Sequence, residues 1–312
     1  MEEKLIEVVD LKKYFGSGIF KKSWIKAVDG VSFEICSKET FALVGESGCG
    51  KSTVGRCTLN LIRPTAGHVY FKDMDISSMN EVSRDIRKRI QVIFQDADGT
   101  LNPRMKVFDL MLEPFRVHGL SNGHGKEMVN ELIEMVNLTP DLLGRYPHEL
   151  SGGQRQRIGI ARAMALNPEF IVADEPAASL DLSVQAQILD LMRKFQAEHG
   201  IGYLYISHNL KIVKLMADKV AVMYLGKLVE VGRTNDVFNC AKHPYTQALI
   251  SAIPILDPCA GRKRILLKGD IPSPLNPPAG CRFHTRCPYR MKRCMIEEPA
   301  LVGDKHIVAC HL

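Results

Sequence analysis

The sequence lacks any apolar run approaching the roughly 20 residues that a membrane-spanning helix needs. Its first residues, Met1-Glu2-Glu3-Lys4, are charged and lack the apolar core of a secretory signal. We therefore expect the chain to stay in the cytosol, and any role at a membrane to come through partner proteins. With 46% hydrophobic and 24% charged residues among 312, its composition is ordinary for one large domain or a domain with an appendage.

Disulfide bonds are not expected, because the nine cysteines of a cytosolic chain are usually free thiols or metal ligands. Five are scattered and are interpreted as core or surface thiols: Cys36, Cys49, Cys57, Cys240 and Cys259. The other four crowd near the end of the chain: Cys281, Cys287, Cys294 and Cys310. These four lack the tight C-x₂₋₄-C pairs of structural zinc sites. Their spacing suits separate loop contributions to one iron–sulfur cluster. Zinc, with His284 or His306 as a further ligand, and free thiols are the alternatives.

The charge of the chain is uneven. The formal net charge is +6, from 41 basic and 35 acidic residues. Residues 259–312 contain ten Lys and Arg against four Asp and Glu, so the whole excess lies there. A basic patch can bind nucleic acid, but four thiolates around a metal would offset the same charge. The cysteines favour the second interpretation, and no nucleic acid partner is expected.

What the sequence does contain is a phosphate-binding loop, G-x-x-x-x-G-K-[ST]. It consists of Gly45, Glu46, Ser47, Gly48, Cys49, Gly50, Lys51, Ser52 and Thr53. Glycines let backbone N–H groups curl around a polyphosphate, and the following helix turns its positive end towards it. Lys51 is expected to reach the β- and γ-phosphates, and the Ser52 hydroxyl to ligate Mg²⁺. A buried strand over 41–44 precedes the loop, and a helix carrying Val54, Leu61 and Ile62 on one face is predicted to follow.

Further strands and helices alternate along the chain, which predicts an α/β fold with a mainly parallel sheet between helices. Strands are predicted over 7–15 (with a turn at 16–18), 27–35, 67–71, 90–94, 170–173 and 203–207, and as a hairpin over 219–231. Helical periodicity covers 102–150, the stretch after Ser151, and 184–195. Beyond Phe238 the periodicity fades into a proline-rich segment. We place a domain boundary there, giving domains 1–238 and 239–312.

Polar side chains follow the carboxyl ends of three of these strands, the edge at which open α/β sheets bind ligands. Asp174 is expected to hold Mg²⁺ through its water shell, and Glu175 to orient or deprotonate the attacking water. Gln95 could contact both metal and water, and His208 could stabilise the γ-phosphate as its charge shifts. A lone histidine at a strand end is more often structural, but its placement beside the other groups favours the catalytic role.

Two further motifs point to a nucleotide. An aromatic residue near the end of the first strand could stack on adenine, with Phe15 preferred and Tyr14 as the substitute; a packed strand aromatic is the alternative. Leu150-Ser151-Gly152-Gly153-Gln154 opens a helix with Ser151 as a plausible N-cap. Its glycines and helix N-terminus form a second anion cradle about a hundred residues beyond the first. A monomer does not obviously need two.

With these motifs in this order, the sequence resembles the ATP-binding-cassette (ABC) family. The resemblance implies a P-loop NTPase core with a helical subdomain over about 96–165 that docks on a permease. It also implies a head-to-tail dimer, in which each ATP lies between one subunit's phosphate loop and the other's signature. By this resemblance Ser151, Gly153 and Gln154 act in trans, and Gly152 is included among the nucleotide-binding residues. Ser179-Leu180-Asp181 matches a further family motif, so Asp181 is included among the nucleotide-binding residues.

Other motifs are similar to the dipeptide/oligopeptide importer branch, most of all to its F-type subunit. They are residues 45–50, 151–157, 243–249 and 272–278. This resemblance implies an ATPase at the cytoplasmic face of the membrane that powers import of di- and oligopeptides. Its implied partners are a second, paralogous ATPase subunit, two permease subunits and, indirectly, an external peptide-binding protein.

The same resemblance implies a [4Fe–4S] cluster on Cys281, Cys287, Cys294 and Cys310, beside ATP and Mg²⁺ as cofactors. Two departures are visible: Ala177-Ala178-Ser179 in place of Thr/Val-Ser-Ala, and Asn209 in place of Asp after His208. Neither removes a catalytic group. Three other functions stay open: import of nickel or another small solute, a soluble ABC protein acting on nucleic acid, and a redox sensor in the C-terminal region that gates transport.

Overall fold

The computed structural model describes residues 3–17, 23–95, 97–121, 123–254 and 264–312. Cys259 and Gly18 lie outside the described residues. The strands are β1 (Lys4–Ser17), β2 (Ser23–Cys36), β3 (Thr40–Val44), β4 (Ala66–Phe71), β5 (Met74–Asp75), β6 (Ile90–Ile93), β7 (Phe170–Asp174), β8 (Gly202–Ser207), β9 (Lys219–Tyr224), β10 (Lys227–Arg233) and β11 (Ile307–Val308). The α-helices are α1 (Lys51–Thr58), α2 (Arg84–Arg89), α3 (Ala97–Thr100), α4 (Val107–Val117), α5 (Gly125–Met135), α6 (Gly152–Met164), α7 (Leu182–His199), α8 (Leu210–Met216), α9 (Thr234–Asn239) and α10 (Pro244–Ser251).

The chain divides into two compact units, one of which, here called the helical unit, is mainly Asn80–Leu204. In it β6 pairs with β7 in parallel, from Ile90 opposite Phe170 to Ile93 opposite Ala173. Helices α4, α5 and α6 pack on one another, and α6 also packs on β6. No helix in the described part of the chain is long and apolar enough to cross a membrane.

The other, here called the loop unit, comprises Lys4–Ile35, Glu39–Met79 and Tyr205–Leu312. It contains an antiparallel sheet in the order β2-β1-β4-β5. A second group of strands begins with β3, which pairs in parallel with β9, and β9 turns back into β10. The C-terminal strand β11 then pairs with β10, so the end of the chain is built into this unit.

The parallel pairs and alternating helices confirm the predicted α/β fold. The strand over 170–173 is fully buried, as expected, and the strand predicted over 203–207 is present and also buried. Burial alternates along the second half of β2, which confirms its period of two. The two compact units do not follow chain order, and the boundary proposed at residue 238 stays a prediction.

The helical pattern predicted over 102–150 is confirmed as two α-helices followed by two short 3₁₀ turns. Three other local predictions were wrong. Helix α1 ends at Thr58, so Leu61 lies beyond it and is exposed. The chain continues as strand β1 through Ser17, where a turn was predicted. Helix α10 was missed in the proline-rich segment, because Pro244 occupies its first turn, where a proline is tolerated.

Candidate functional site

The phosphate loop of the loop unit joins β3 to α1, and the structure explains why it contains glycines. Gly45, Gly48 and Gly50 have φ angles of 154°, 79° and 110°, a region that side chains rarely adopt. A Cβ at Gly50 would lie 2.1 Å from the carbonyl oxygen of Ala27, and one at Gly45 2.2 Å from that of Met223. The loop therefore needs glycine at both positions, since the neighbouring backbone leaves no room for a side chain.

Lys51 lies where helix α1 begins and is only 6% exposed. Its Nζ donates to the carbonyl oxygens of Gly45, at 2.9 Å, and Glu46, at 3.0 Å. These bonds hold the ammonium group over the loop. Ser52 and Thr53 follow in the first turn of α1, whose positive end faces the loop. The arrangement combines fixed N–H groups, a helix N-terminus and one cation, which is the chemistry that binds a polyphosphate.

Two other predicted residues belong to the loop unit. His208 is exposed directly after β8. Asn209, which replaces the family's Asp, caps helix α8 by accepting the Lys211 N–H at 3.1 Å, so the substitution keeps the cap. Phe15 is 37% exposed near the end of β1, whereas the Tyr14 hydroxyl is hydrogen bonded to Asp29. Phe15 is the freer of the two rings to meet a base.

In the helical unit, Gln95 is exposed just beyond β6, and Asp174 is the last residue of β7. Glu175 has a φ of 49°, the left-handed region, and its carbonyl accepts the Ala178 N–H in a tight turn. For a residue with a side chain this conformation is strained, and such strain concentrates at functional sites. The turn directs the chain sharply away after the acidic pair.

The signature residues open helix α6 through a capping box. The Ser151 hydroxyl accepts the Gln154 N–H at 3.3 Å, and the Gln154 side chain accepts the Ser151 N–H at 2.9 Å. The predicted N-cap at Ser151 is thereby confirmed. A Cβ at Gly153 would lie 2.7 Å from a Val184 methyl group in α7. Asp181 caps α7 by accepting the Val184 N–H at 3.0 Å. The close approach of Gly153 to Val184 therefore lies between the capped first turns of α6 and α7.

The predicted residues thus fall into two groups. The loop unit holds the phosphate loop, Phe15 and His208, and the helical unit holds Gln95, Asp174, Glu175, the signature and Asp181. Their assembly into one nucleotide site stays a prediction.

The four C-terminal cysteines lie in one part of the loop unit, and none of them forms a disulfide bond. The Cys281 N–H donates to the carbonyl oxygen of Cys294 at 2.9 Å. The pKa of Cys281 is raised to about 11, mainly by burial and in part by the neighbouring Cys294, Cys310 and Cys287, so all four are close enough to interact. Within the described ranges, however, no three His, Cys, Asp or Glu side chains are arranged to hold a metal ion.

The sequence did not identify three anchoring side chains, two of which bind Glu46 of the phosphate loop and one of which binds residues outside that loop. Tyr245 and Arg286 both bind Glu46, and Arg282 binds Asp29 and the carbonyl oxygen of Leu225. The motif over 243–249 marked a family branch and gave no sign of this contact. Arginines in a basic segment give no signal of their own, because only the fold shows which of them meets a carboxylate.

Comparison with known proteins agrees with this geometry. The ABC transporter family matches residues 28–178, and the oligopeptide/dipeptide transporter C-terminal region matches residues 229–294. The oligopeptide transport ATP-binding protein AppF of Bacillus subtilis is 48% identical over 100% of this chain and 98% of its own. YkfD of the same organism is 50% identical over 99% of this chain and 95% of its own.

Among solved structures, the ATP-binding cassette MJ0796, a dimer bound to ADP and Pi after hydrolysis, superposes with a TM-score of 0.64 at 25% identity. The match covers 73% of this chain and 98% of that one. Family matches, relatives and fold therefore agree: the chain belongs to the ABC transporter ATPases, in the branch with the oligopeptide/dipeptide transporter C-terminal region.

Proposed function

We propose that this protein is the ATP-hydrolysing subunit of an importer that carries di- and oligopeptides through a pair of membrane permeases. The observation that carries the proposal is the pairing of a glycine-built phosphate loop with a capped Ser-Gly-Gly-Gln helix in one chain. Relatives of nearly full-length coverage that are named for oligopeptide transport, and the matched C-terminal region, support the cargo.

For ATP chemistry, the chain offers a donor or acceptor for each demand of phosphoryl transfer. Lys51 neutralises the phosphates, while Ser52, Asp174 and Gln95 supply the oxygen ligands that Mg²⁺ prefers. Glu175 takes a proton from the attacking water. The water oxygen bonds to the γ-phosphorus as the bond between this phosphorus and the β–γ bridging oxygen breaks. His208 stabilises the charge on the transferred group.

The second ATP-binding surface is the signature. Its backbone N–H groups at the start of α6 suit a γ-phosphate presented by another subunit, so Ser151, Gly153 and Gln154 act across a head-to-tail dimer. The other subunit is a paralogue, and the pair works at the cytoplasmic face of the membrane with two permeases and an external peptide-binding protein. Closure over ATP and reopening after hydrolysis drive the permease helices.

We also propose that Cys281, Cys287, Cys294 and Cys310 hold a [4Fe–4S] cluster. Four thiols close enough to interact fit the ligand set of such a cluster, although the described residues contain no group arranged around a single ion. A cluster held by these four cysteines would supply a one-electron couple and would crosslink the loops that carry them. Iron analysis and visible absorbance of protein purified without oxygen test this proposal; protein without iron but with stoichiometric zinc would overturn it.

The test of the function replaces Glu175 by Gln in the assembled transporter. ATP binding should persist while ATP turnover and uptake of a labelled dipeptide are lost, because only proton removal from water is impaired. Glu198→Gln is the matched control, since Glu198 lies exposed on α7 and pairs only loosely with Lys194, at 3.9 Å. Wild-type turnover in Glu175→Gln would remove Glu175 from this role. Uptake of nickel in place of peptide would overturn the cargo.

A further inference from the structure

The C-terminal region reaches the phosphate loop through one side chain. Within the cysteine segment, defined as residues 281–294, Arg286 binds the Glu46 carboxylate with both terminal nitrogens, at 2.7 and 3.1 Å. The two side chains are 8% and 24% exposed. A bidentate pair in such a shielded place is geometrically specific and is screened little by water. An arginine side chain keeps its charge in proteins, so the guanidinium supplies a full positive charge beside this carboxylate.

The backbone of Glu46 is held on both sides as well. Its N–H donates to the Tyr245 hydroxyl at 2.9 Å, and its carbonyl oxygen accepts from Lys51 at 3.0 Å. The N–H, the carbonyl oxygen and both carboxylate oxygens of Glu46 therefore each have a hydrogen-bond partner. Since Lys51 is also the phosphate-binding cation, a displacement of Glu46 would displace Lys51.

Arg286 itself rests on rigid neighbours. Its guanidinium lies 6.0 Å above the ring of Tyr224, which packs edge-on against Tyr245 and Phe283 at 4.8 and 5.2 Å. These three rings are buried, and they join strand β9, helix α10 and the cysteine segment. Four residues before Arg286, Arg282 fixes the same segment to Asp29. The arginine is therefore presented to the loop by a packed support.

The charge balance gives this contact a function. Glu46 places a negative charge in a loop that must receive the highly anionic phosphates of ATP. Without Arg286 this carboxylate would repel the ligand and would lose the partner that fixes its direction. We propose that Arg286 is a positioning residue for ATP binding: it neutralises and orients Glu46, and so makes nucleotide affinity depend on the fold of the cysteine segment.

The proposal rests on the ATP site described above, and its test is the affinity of the purified full-length chain for a nonhydrolysable ATP analogue with Mg²⁺, measured by calorimetry. Arg286→Ala should weaken binding about tenfold, equivalent to about 1.4 kcal/mol. The affinity of Arg286→Lys should lie between those of wild type and Arg286→Ala, because an ammonium group keeps the charge but loses the bidentate geometry.

The matched control is Arg293→Ala. Arg293 also forms a bidentate pair in this part of the chain, through Nε and one terminal nitrogen to Glu297 at 2.7 and 2.8 Å, but both side chains are more than half exposed. It should bind the analogue within about twofold of wild type, since exposed pairs contribute little.

A double mutant separates positioning from general support of the fold. In Glu46→Gln the charge that Arg286 neutralises is gone, so adding Arg286→Ala should weaken binding by less than about twofold. A full tenfold loss in that background, or wild-type affinity in Arg286→Ala alone, would overturn the inference. If Arg286→Ala does not fold, Arg286→Lys is measured instead in the wild-type and Glu46→Gln backgrounds. Its loss of affinity should again be smaller in the Glu46→Gln background, and an equal loss in both would overturn the inference. Wild-type protein that binds no ATP would instead overturn the proposed function.

Discussion

The phosphate loop and the signature are both anion cradles at a helix N-terminus, but they are built differently. The phosphate loop has glycines at positive φ angles and is held by residues far along the chain, with Arg286 lying 240 positions beyond Glu46. The signature is held by its own capping box, which spans four residues. The first is therefore sensitive to the rest of its unit. The second is a local structure that can be presented intact to another subunit.

The glycines separate the two cradles most sharply. Gly50→Ala should have the largest effect, because a left-handed conformation costs about 1–2 kcal/mol and overpacking a further 1–3 kcal/mol. The new Cβ would meet the backbone of Ala27, which cannot rotate away. We expect the loop to lose ATP affinity by roughly 100-fold, measured by calorimetry, with thermal unfolding recorded as a control. Affinity within a few-fold of wild type would show that the loop tolerates another backbone path.

Gly153→Ala should have an intermediate effect. Its Cβ would meet a methyl of Val184, a stiff β-branched side chain, so overpacking of about 1–3 kcal/mol opposes the helix propensity of about 1 kcal/mol that alanine adds. Urea unfolding should show a net loss that Val184→Ala relieves. Gly152→Ala is the control, because its Cβ would make only an ordinary contact with Leu180, at 3.4 Å. A loss in Gly153→Ala that survives Val184→Ala would contradict this account.

The sequence predicts those parts of each cradle that depend on neighbouring residues and does not predict contacts between distant residues. The capping box and the phosphate loop are local patterns whose chemistry is set by neighbouring residues, so Ser151 as a cap could be predicted. The contact of Arg286 with Glu46 could not, since nothing local distinguishes Arg286 from Arg290 or Arg293. The prediction for Leu61 was wrong because it relied on a local pattern alone. The spacing of Leu61 suited a helix, but α1 ends at Thr58.

The smallest predicted effect is a pH dependence confined to the support of the phosphate loop. His243 caps helix α10, and its Nδ1 accepts the N–H of Tyr245, the residue whose hydroxyl holds Glu46. Burial lowers the pKa of His243 to about 4, against about 6.5 in an unfolded chain. The native state therefore binds fewer protons, and the stability from this residue is complete above pH 6.5 and declines as the pH falls towards 4.

Each pH unit in that window should cost at most about 1.4 kcal/mol of unfolding free energy, because the unfolded chain takes up one proton that the buried imidazole does not. Urea unfolding at pH 7.5, 6.5 and 5.5 measures this loss. His243→Asn keeps a capping oxygen without a titrating group, so its stability should vary less over the same range. The Ser151–Gln154 capping box contains no titratable group and gives no such dependence. Equal pH slopes for wild type and His243→Asn would mean that the loop's support is as insensitive to protons as the signature.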